Sequence, residues 1–243
     1  MSISLSAARN PSPALRNGFS LAQPHSSHVY GEPRTLNDHL RSLRQYGSRL
    51  HYRRNETVFA EGEPADSVYK VINGTLRLCR FLADGRRHIT DFVLSGDIMG
   101  FLECADQPAT AEAVTDVTLM SYPRGCFDRL AASNPEIRAC VLCHLSANLL
   151  EAQHQLLVMG CQSAKERVAS FLLRLAERTD LQPGERLDLP MGRQDIGDHL
   201  GLTTETICRA ISMLKSDGAL SVPSPHELIL KDLRALRALA AES

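Results

Sequence analysis

No stretch of the chain reaches the roughly 18 consecutive apolar residues that would span a bilayer, and Met1 to Pro24 lacks the charged-then-apolar order of a secretory signal. Membrane anchoring and export are therefore not expected, and the compartment indicated is the cytoplasm. Phosphate loops, nucleophile elbows and paired-carboxylate motifs are also missing, which argues against the enzyme classes built on them. No solenoid repeat or low-complexity tract is present. Charge of one sign is lacking too: 27 Lys and Arg face 28 Asp and Glu, a net charge of -1. A nucleic-acid site would need a local basic face, so it must be sought segment by segment. The seven cysteines (Cys79, Cys104, Cys126, Cys140, Cys143, Cys161, Cys208) are odd in number and scattered, so a disulfide framework is not expected. Cys140 and Cys143, the close pair, lie within an apolar helical pattern without a second pair, and no metal site is expected there.

What remains is an ordinary globular composition, with 43% apolar and 23% charged residues in 243, enough for one large domain or two small ones. Residues 1–33 are rich in Ser, Pro, Ala and Asn and read as a loose arm with no assigned function. From about Arg53 to Met120 short runs of β-formers alternate with turn residues: 57–59, 67–72, 75–81, 87–93 and 113–120. Asn73-Gly74 and Asp84-Gly85 are hairpin signals, because both tolerate the positive φ of tight primed turns. The spacing predicts a small antiparallel β-roll over 34–133.

From Cys126 to about Met159 the apolar period becomes helical, and Asn134-Pro135 predicts a helix start. A helix from Pro135 to Gly160 would be roughly 39 Å long at 1.5 Å per residue, more than a roll needs for its own closure. Two partners are open to it: the same helix of a second copy, through Val141, Leu145, Leu149 and Leu156, or its own roll. A long helix is thus assigned to 134–161. Ser163 to Arg178 predicts an amphipathic helix opening a last unit at 162–243, with Thr179 to Gly184 as its closing turn.

Met191 to Leu220 reads as helix, tight turn, helix. Ile196 and Leu200 line the first helix, Gly201 makes the turn, Thr203 caps the second helix, and Ile207, Ile211 and Leu214 form its inward stripe. At about 100° per residue that stripe centres near 310°, with Thr204 at zero, while Thr204, Glu205, Cys208 and Arg209 span roughly 0° to 140°. Such a free face suits a helix entering the major groove by its N-terminal end. Arg209 can donate two parallel bonds to guanine O6 and N7, and Glu205 can accept from the amino group of cytosine. Alternatively, the two form only an exposed i, i+4 ion pair. Ser221 to Leu230 predicts a two-stranded wing, and Asp232 to Ala241 a final helix. Arg193, Thr203 and Lys215, with His199 a further candidate, would reach phosphates. From Met191 onward, however, six Lys and Arg face seven acids, a weak footprint for DNA.

The strings QDIGDHLGLTTETICRAISMLK, GEPADSVYKVINGTLRL, SGDIMGF and SAKERVASFLLRLAER resemble the CRP/FNR superfamily of bacterial transcription regulators over most of the chain. That resemblance implies an α+β fold: an N-terminal cyclic-nucleotide-binding-like antiparallel β-roll, a long dimerisation helix and a C-terminal winged helix-turn-helix. The order of motifs is most similar to the FNR and FixK branch, whose sites resemble TTGAT, four bases, then ATCAA. The branch's Glu-x-x-Ser-Arg reading motif matches Glu205, Cys208 and Arg209, with cysteine where serine is common. Cys208 is then either a redox switch, since a sulfinate would set negative charge against phosphates and bases, or a passive serine substitute. Oxygen-sensing members resemble one another in an N-terminal cysteine cluster, but no cysteine here precedes Cys79, so no iron-sulfur cofactor is expected. Nucleotide-binding members share an Arg-Ser pair on the cyclic phosphate, whereas Leu102 to Ala111 contains no arginine, so no cyclic nucleotide is expected.

The pattern looks like the FixK type, which acts without a small ligand on microaerobic respiration, denitrification and nitrogen-fixation genes. The resemblance implies a homodimer, a double-stranded DNA palindrome and RNA polymerase as partners, with no cofactor and no enzymatic activity. A haem-based sensor of nitric oxide or carbon monoxide is the alternative, with His51, His88, His144 or His154 as ligand candidates.

Overall fold

A computed structural model describes residues 40, 43–101, 105–182 and 184–241. The arm at 1–33, Cys104 and Pro183 lie outside the described residues. Eight short strands come first: β1 (Ser48–Tyr52), β2 (Thr57–Phe59), β3 (Ser67–Asn73), β4 (Leu76–Phe81), β5 (Arg87–Val93), β6 (Ile98–Met99), β7 (Thr110–Ala113) and β8 (Val117–Pro123). They form two four-stranded sheets, ordered β1-β8-β3-β6 and β2-β7-β4-β5, with antiparallel pairing throughout. Phe59, Val71, Leu76, Met99 and Leu119 fill the space between them.

Three local expectations change. β1, which lies ahead of the first run of β-formers, pairs with β8 along its whole length. Asp84-Gly85 does close the β4–β5 hairpin, with Gly85 N–H donating to Leu82 O at 2.9 Å. Asn73-Gly74 instead carries the chain from one sheet to the other, because β3 and β4 belong to different sheets. The run 113–120 likewise breaks into β7 and β8, which lie in different sheets. The physical reason is that the two crossings hold each other. Thr75 O accepts from Val114 N–H at 2.8 Å, and Thr75 N–H donates to Thr115 Oγ1 at 3.0 Å. Gly74, at φ +90°, lies so near that a Cβ there would sit 2.3 Å from Asp116 O.

Helix α1 (Arg124–Ser133) follows, and then α2 (Pro135–Cys161), 27 residues or about 40 Å long. Asn134 Oδ1 caps α2 by accepting from Glu136 N–H at 3.0 Å and Ile137 N–H at 3.4 Å. The first turns of α2 rest on the roll through Ile137, beside Phe101, Phe127 and Tyr122. Beyond them only Ala147 and Val158 are buried, while Leu142, Leu149, Leu150, Leu156 and Leu157 are exposed. Val141 leans with Cys140 on the roll's core, so the exposed stripe begins at Leu142 rather than Val141.

The last unit comprises α3 (Ala164–Arg178), β9 (Arg186–Asp188), α4 (Arg193–Leu200), α5 (Thr204–Ser216), β10 (Leu220–Ser224), β11 (Glu227–Leu230) and α6 (Leu233–Ala241). Ser163 opens α3 with a reciprocal cap: its hydroxyl accepts from Glu166 N–H while Glu166 accepts from Ser163 N–H. The three strands form an antiparallel sheet ordered β10-β11-β9. This unit does not have a core to itself. Cys79, Ile89, Phe92, Leu94 and Val114 of the roll join Leu172, Ile196, Ile207 and Leu214 in one continuous cluster. Among the described residues no helix is long and apolar enough to cross a membrane.

Gly74→Ala should lower stability by roughly 1 to 3 kcal/mol, because the new methyl meets backbone oxygen at a φ that L-residues resist. The urea midpoint checks this, and an unchanged midpoint would contradict the account of the crossing.

Candidate nucleic-acid interface

Helices α4 and α5 owe their angle to the turn between them. Gly201 takes the left-handed conformation, φ 65°, and its N–H closes α4 by donating to Gly197 O. Thr203 then caps α5, its Oγ1 accepting from Thr206 N–H at 3.2 Å. Ile207, Ile211 and Leu214 are buried on the inward side of α5, and Ala210 with them. The opposite side has nowhere to go but solvent.

On that outward side stand Thr204, Glu205, Cys208 and Arg209, all exposed. Ser212, one turn further, continues the same face and is also exposed, its hydroxyl donating to Cys208 O at 2.9 Å. Ser212 is a member of this face not among the sequence candidates, and its place one turn beyond Cys208 is the signal for it. Arg209 Nη2 donates to Glu205 Oε1 at 2.5 Å, with the two side chains 67% and 80% exposed. An ion pair so open contributes little stability. It does hold the guanidinium over the first two turns of the helix, where a bidentate donor is useful.

The phosphate candidates divide. Thr203 and Lys215 are exposed at the two ends of α5. Arg193, at the start of α4, is half-buried, and its Nη1 is a buried donor without a partner among the described residues. Burial pulls its pKa down, and charge at Cys208 works the other way to a lesser degree. An orphaned donor of this kind is costly unless something supplies an acceptor. His199 is a different matter, and it does not face a phosphate. It is 4% exposed, with its ring against Phe92 and Phe171. Nδ1–H donates to Ile89 O at 2.9 Å, so the neutral ring's Nε2 is free to accept from Arg174 Nη2 at 2.7 Å. Burial, and then the positive charge of Arg174, push its pKa down to about 4.

The four histidines considered as haem ligands come from different elements, β1, β5 and α2. His51 Nδ1 meets Thr118 Oγ1 at 3.0 Å, His88 Nδ1 meets Asp198 O at 3.0 Å, His144 packs edge-on to Phe101, and His154 is exposed on α2. Among the described residues no group of three or more His, Cys, Asp or Glu could hold a metal ion. Cys79 is buried and its thiol is pushed up to about 11 by that burial, whereas Cys143, Cys161 and Cys208 are exposed.

Comparison with known proteins agrees with this geometry. Residues 49–134 match the cyclic nucleotide-binding domain, and residues 166–239 match the Crp-like helix-turn-helix domain. The chain is 41% identical over 197 residues to the nitrogen fixation regulation protein FixK of Azorhizobium caulinodans, covering 79% of each. It is 36% identical over 204 residues to the protein of that name from Rhizobium meliloti, covering 83% of this chain and 92% of the relative. The structure of FixK2 from Bradyrhizobium japonicum superposes with a TM-score of 0.77 at 34% identity, covering 81% of this chain and 98% of that one.

The state of His199 gives a pH dependence with a definite sign. Its ordinary value is 6.5 and its folded value about 4, so between them the unfolded chain takes up a proton that the folded chain refuses. Its contribution to stability is therefore complete above about pH 6.5 and is lost as pH falls toward 4, at up to about 1.4 kcal/mol per pH unit. Urea midpoints at pH 7 and pH 5 should show a fall that is smaller in His199→Gln; equal falls would contradict the assignment.

Proposed function

The chain belongs to the CRP/FNR superfamily, in its FixK-type branch, and from that footing we propose a homodimeric activator that reads a two-fold symmetric DNA site. That it is a DNA-binding transcription regulator follows from the family. The finer reading is that α5 of each subunit enters the major groove with Thr204, Glu205, Cys208 and Arg209 at base edges. The single observation that carries it is the split of α5 into a fully buried stripe and an exposed reading face. Arg209 takes guanine, Glu205 takes cytosine and steadies Arg209, and Arg193, Thr203 and Lys215 take phosphates. The site resembles TTGAT, four bases, ATCAA. The genes under it serve microaerobic respiration, denitrification or nitrogen fixation, the regulator acts in the cytoplasm, and RNA polymerase is the second partner. Neither a cyclic nucleotide nor another cofactor enters the reading.

A second copy is the proposed occupant of the exposed stripe on α2. Leu142, Leu149 and Leu156 are seven residues apart, and Leu145, Ala152 and Met159 follow each by three, a heptad seam sustained over nearly the whole exposed length. Leu150 and Leu157 widen it. Leaving five leucines in water would forgo roughly 1.5 to 3 kcal/mol for each. Two copies joined there present two reading heads to one duplex.

Cys208 is proposed as the redox-sensitive member of the reading face. It is exposed, and it directly precedes Arg209 on the outward side of α5. Peroxide would pass one oxygen to the sulfur and leave as water, giving the sulfenic acid; a second peroxide would give the sulfinate, whose charge opposes phosphate.

Footprinting on the palindrome tests the reading. Arg209→Ala should relax preference at the guanine of each half-site by about 1 to 3 kcal/mol, and an unaltered base preference would contradict the role. Peroxide should abolish operator binding by the native protein and spare most of it in Cys208→Ser. Equal loss in the two would sink the redox proposal.

A further inference from the structure

Helix α4 carries the reading helix, so whatever holds α4 aims the whole head. Its two acids, Asp195 and Asp198, are three residues apart and share one face. They turn neither to solvent nor toward the reading face, but to the β4–β5 hairpin of the roll. Arg87 of β5 binds both: Nη2 lies 2.6 Å from Asp195 Oδ1 and 2.7 Å from Asp198 Oδ2, and Nε donates to Asp198 Oδ2 at 2.9 Å. Arg77 of β4 reaches Asp195 Oδ1 at 3.2 Å. Its fork is set in advance by Glu112 of β7, 2.8 Å from both Nε and Nη2. Two imidazole-to-carbonyl bonds flank the cluster, His88 Nδ1 to Asp198 O and His199 Nδ1–H to Ile89 O.

The four side chains of the clamp are 11% to 22% exposed. Partly desolvated pairs repay little of their desolvation as stability, and their best-attested use is to specify one arrangement among several. Arrangement is what a dimeric reader needs. Its two heads must fall on major-groove faces about 34 Å apart, and an error of one base step is only about 3.4 Å.

We propose that Arg77 and Arg87, through Asp195 and Asp198, are positioning residues for operator binding: the hairpin holds the reading head at the angle that matches the spacing of the two half-sites. This rests on the reading of α5 given above. The clamp also occupies two of the seven acids counted from Met191 onward, and that second effect provides the discriminating variant. Asp195→Asn and Asp198→Asn remove negative charge from the head while keeping shape. Simple electrostatics predicts tighter DNA binding; a positioning role predicts weaker binding to the palindrome.

The test compares the full chain with Asp195→Asn, Asp198→Asn and Arg87→Ala on palindromes with three, four and five central bases, and on a single half-site. Positioning predicts about tenfold weaker binding at the four-base spacing, lost discrimination among the three spacings, and half-site affinity within about twofold of wild type. Hydrogen exchange of the α4 and β5 amides without DNA should rise in each variant. Unchanged exchange, or unchanged or tighter binding with the spacing preference intact, overturns the proposal. Wild-type chain that ignores the palindrome would instead overturn the reading of α5, and the exchange experiment would still decide whether the clamp exists.

Discussion

Burial of one side of α5 is the constraint on which its exposed polar face depends. Ile207 and Leu214 are inaccessible to solvent, and Ile211 nearly so, against a core shared with α3 and α4. Turning α5 about its axis to hide Arg209 would expose that stripe, at roughly 1.5 to 3 kcal/mol for each large side chain. The polar face is therefore not a surface that happens to be wet. It is forced outward by apolar packing on the other side, and the αL turn at Gly201 decides where along the molecule it emerges.

The same core continues past α3 into the roll, and this changes how the parts relate. Phe92 of β5 meets Phe171 of α3 at 6.1 Å between ring centres, and both meet His199 of α4. Arg174 of α3 ties in a further element, reaching Glu151 of α2 on one side and His199 of α4 on the other. Arg178 adds pairs to Asp91 and Asp97 of the roll. An apolar centre ringed by ion pairs is the anatomy of a specific interface rather than of a flexible tether. The weak positive footprint of the last unit then has an explanation in geometry. Asp195 and Asp198 are neutralised by the roll, and Asp217 is held by Lys165 at 2.6 Å, so a count along the sequence overstates the negative charge that a duplex would meet.

Architecture was legible in the sequence wherever the signal was local. Asn134-Pro135 starts a helix and Gly201 breaks one, because a cap and a positive φ act within a few residues whatever surrounds them. Ile207, Ile211 and Leu214 announced the inward side of α5 by period alone. Signals that depend on distant partners were misread. Asn73-Gly74 has hairpin chemistry, but a tight turn does not reveal that the strands it joins belong to different sheets, and the break at 114–116 exists because Thr75 supplies the bonds. His199 looked like a phosphate contact from its place on α4; its neighbours Ile89, Phe92 and Arg174 come from remote segments. Arg77 and Arg87 carried no local sign of their role, since each is an ordinary strand residue until Asp195 and Asp198 arrive more than a hundred positions later.

Helix α2 shows how one element meets two demands. Its first turns must satisfy the roll, which draws Ile137 inward and Cys140 and Val141 partly so. In its later turns Ala147 and Val158 are buried, Val158 beside Arg167, Phe171 and Arg174 of α3, and the leucine stripe is left on another side. A helix serving a single core needs one apolar stripe; this one is apolar on more than one side, so no single face dominates its pattern. The heptad from Leu142 to Met159 emerges only when residues committed to the chain's own core are set aside. Val141 belongs to the roll and Leu142 to the exposed stripe, one residue apart, because about 100° of helix separates neighbours and the two surfaces lie on different sides of the rod.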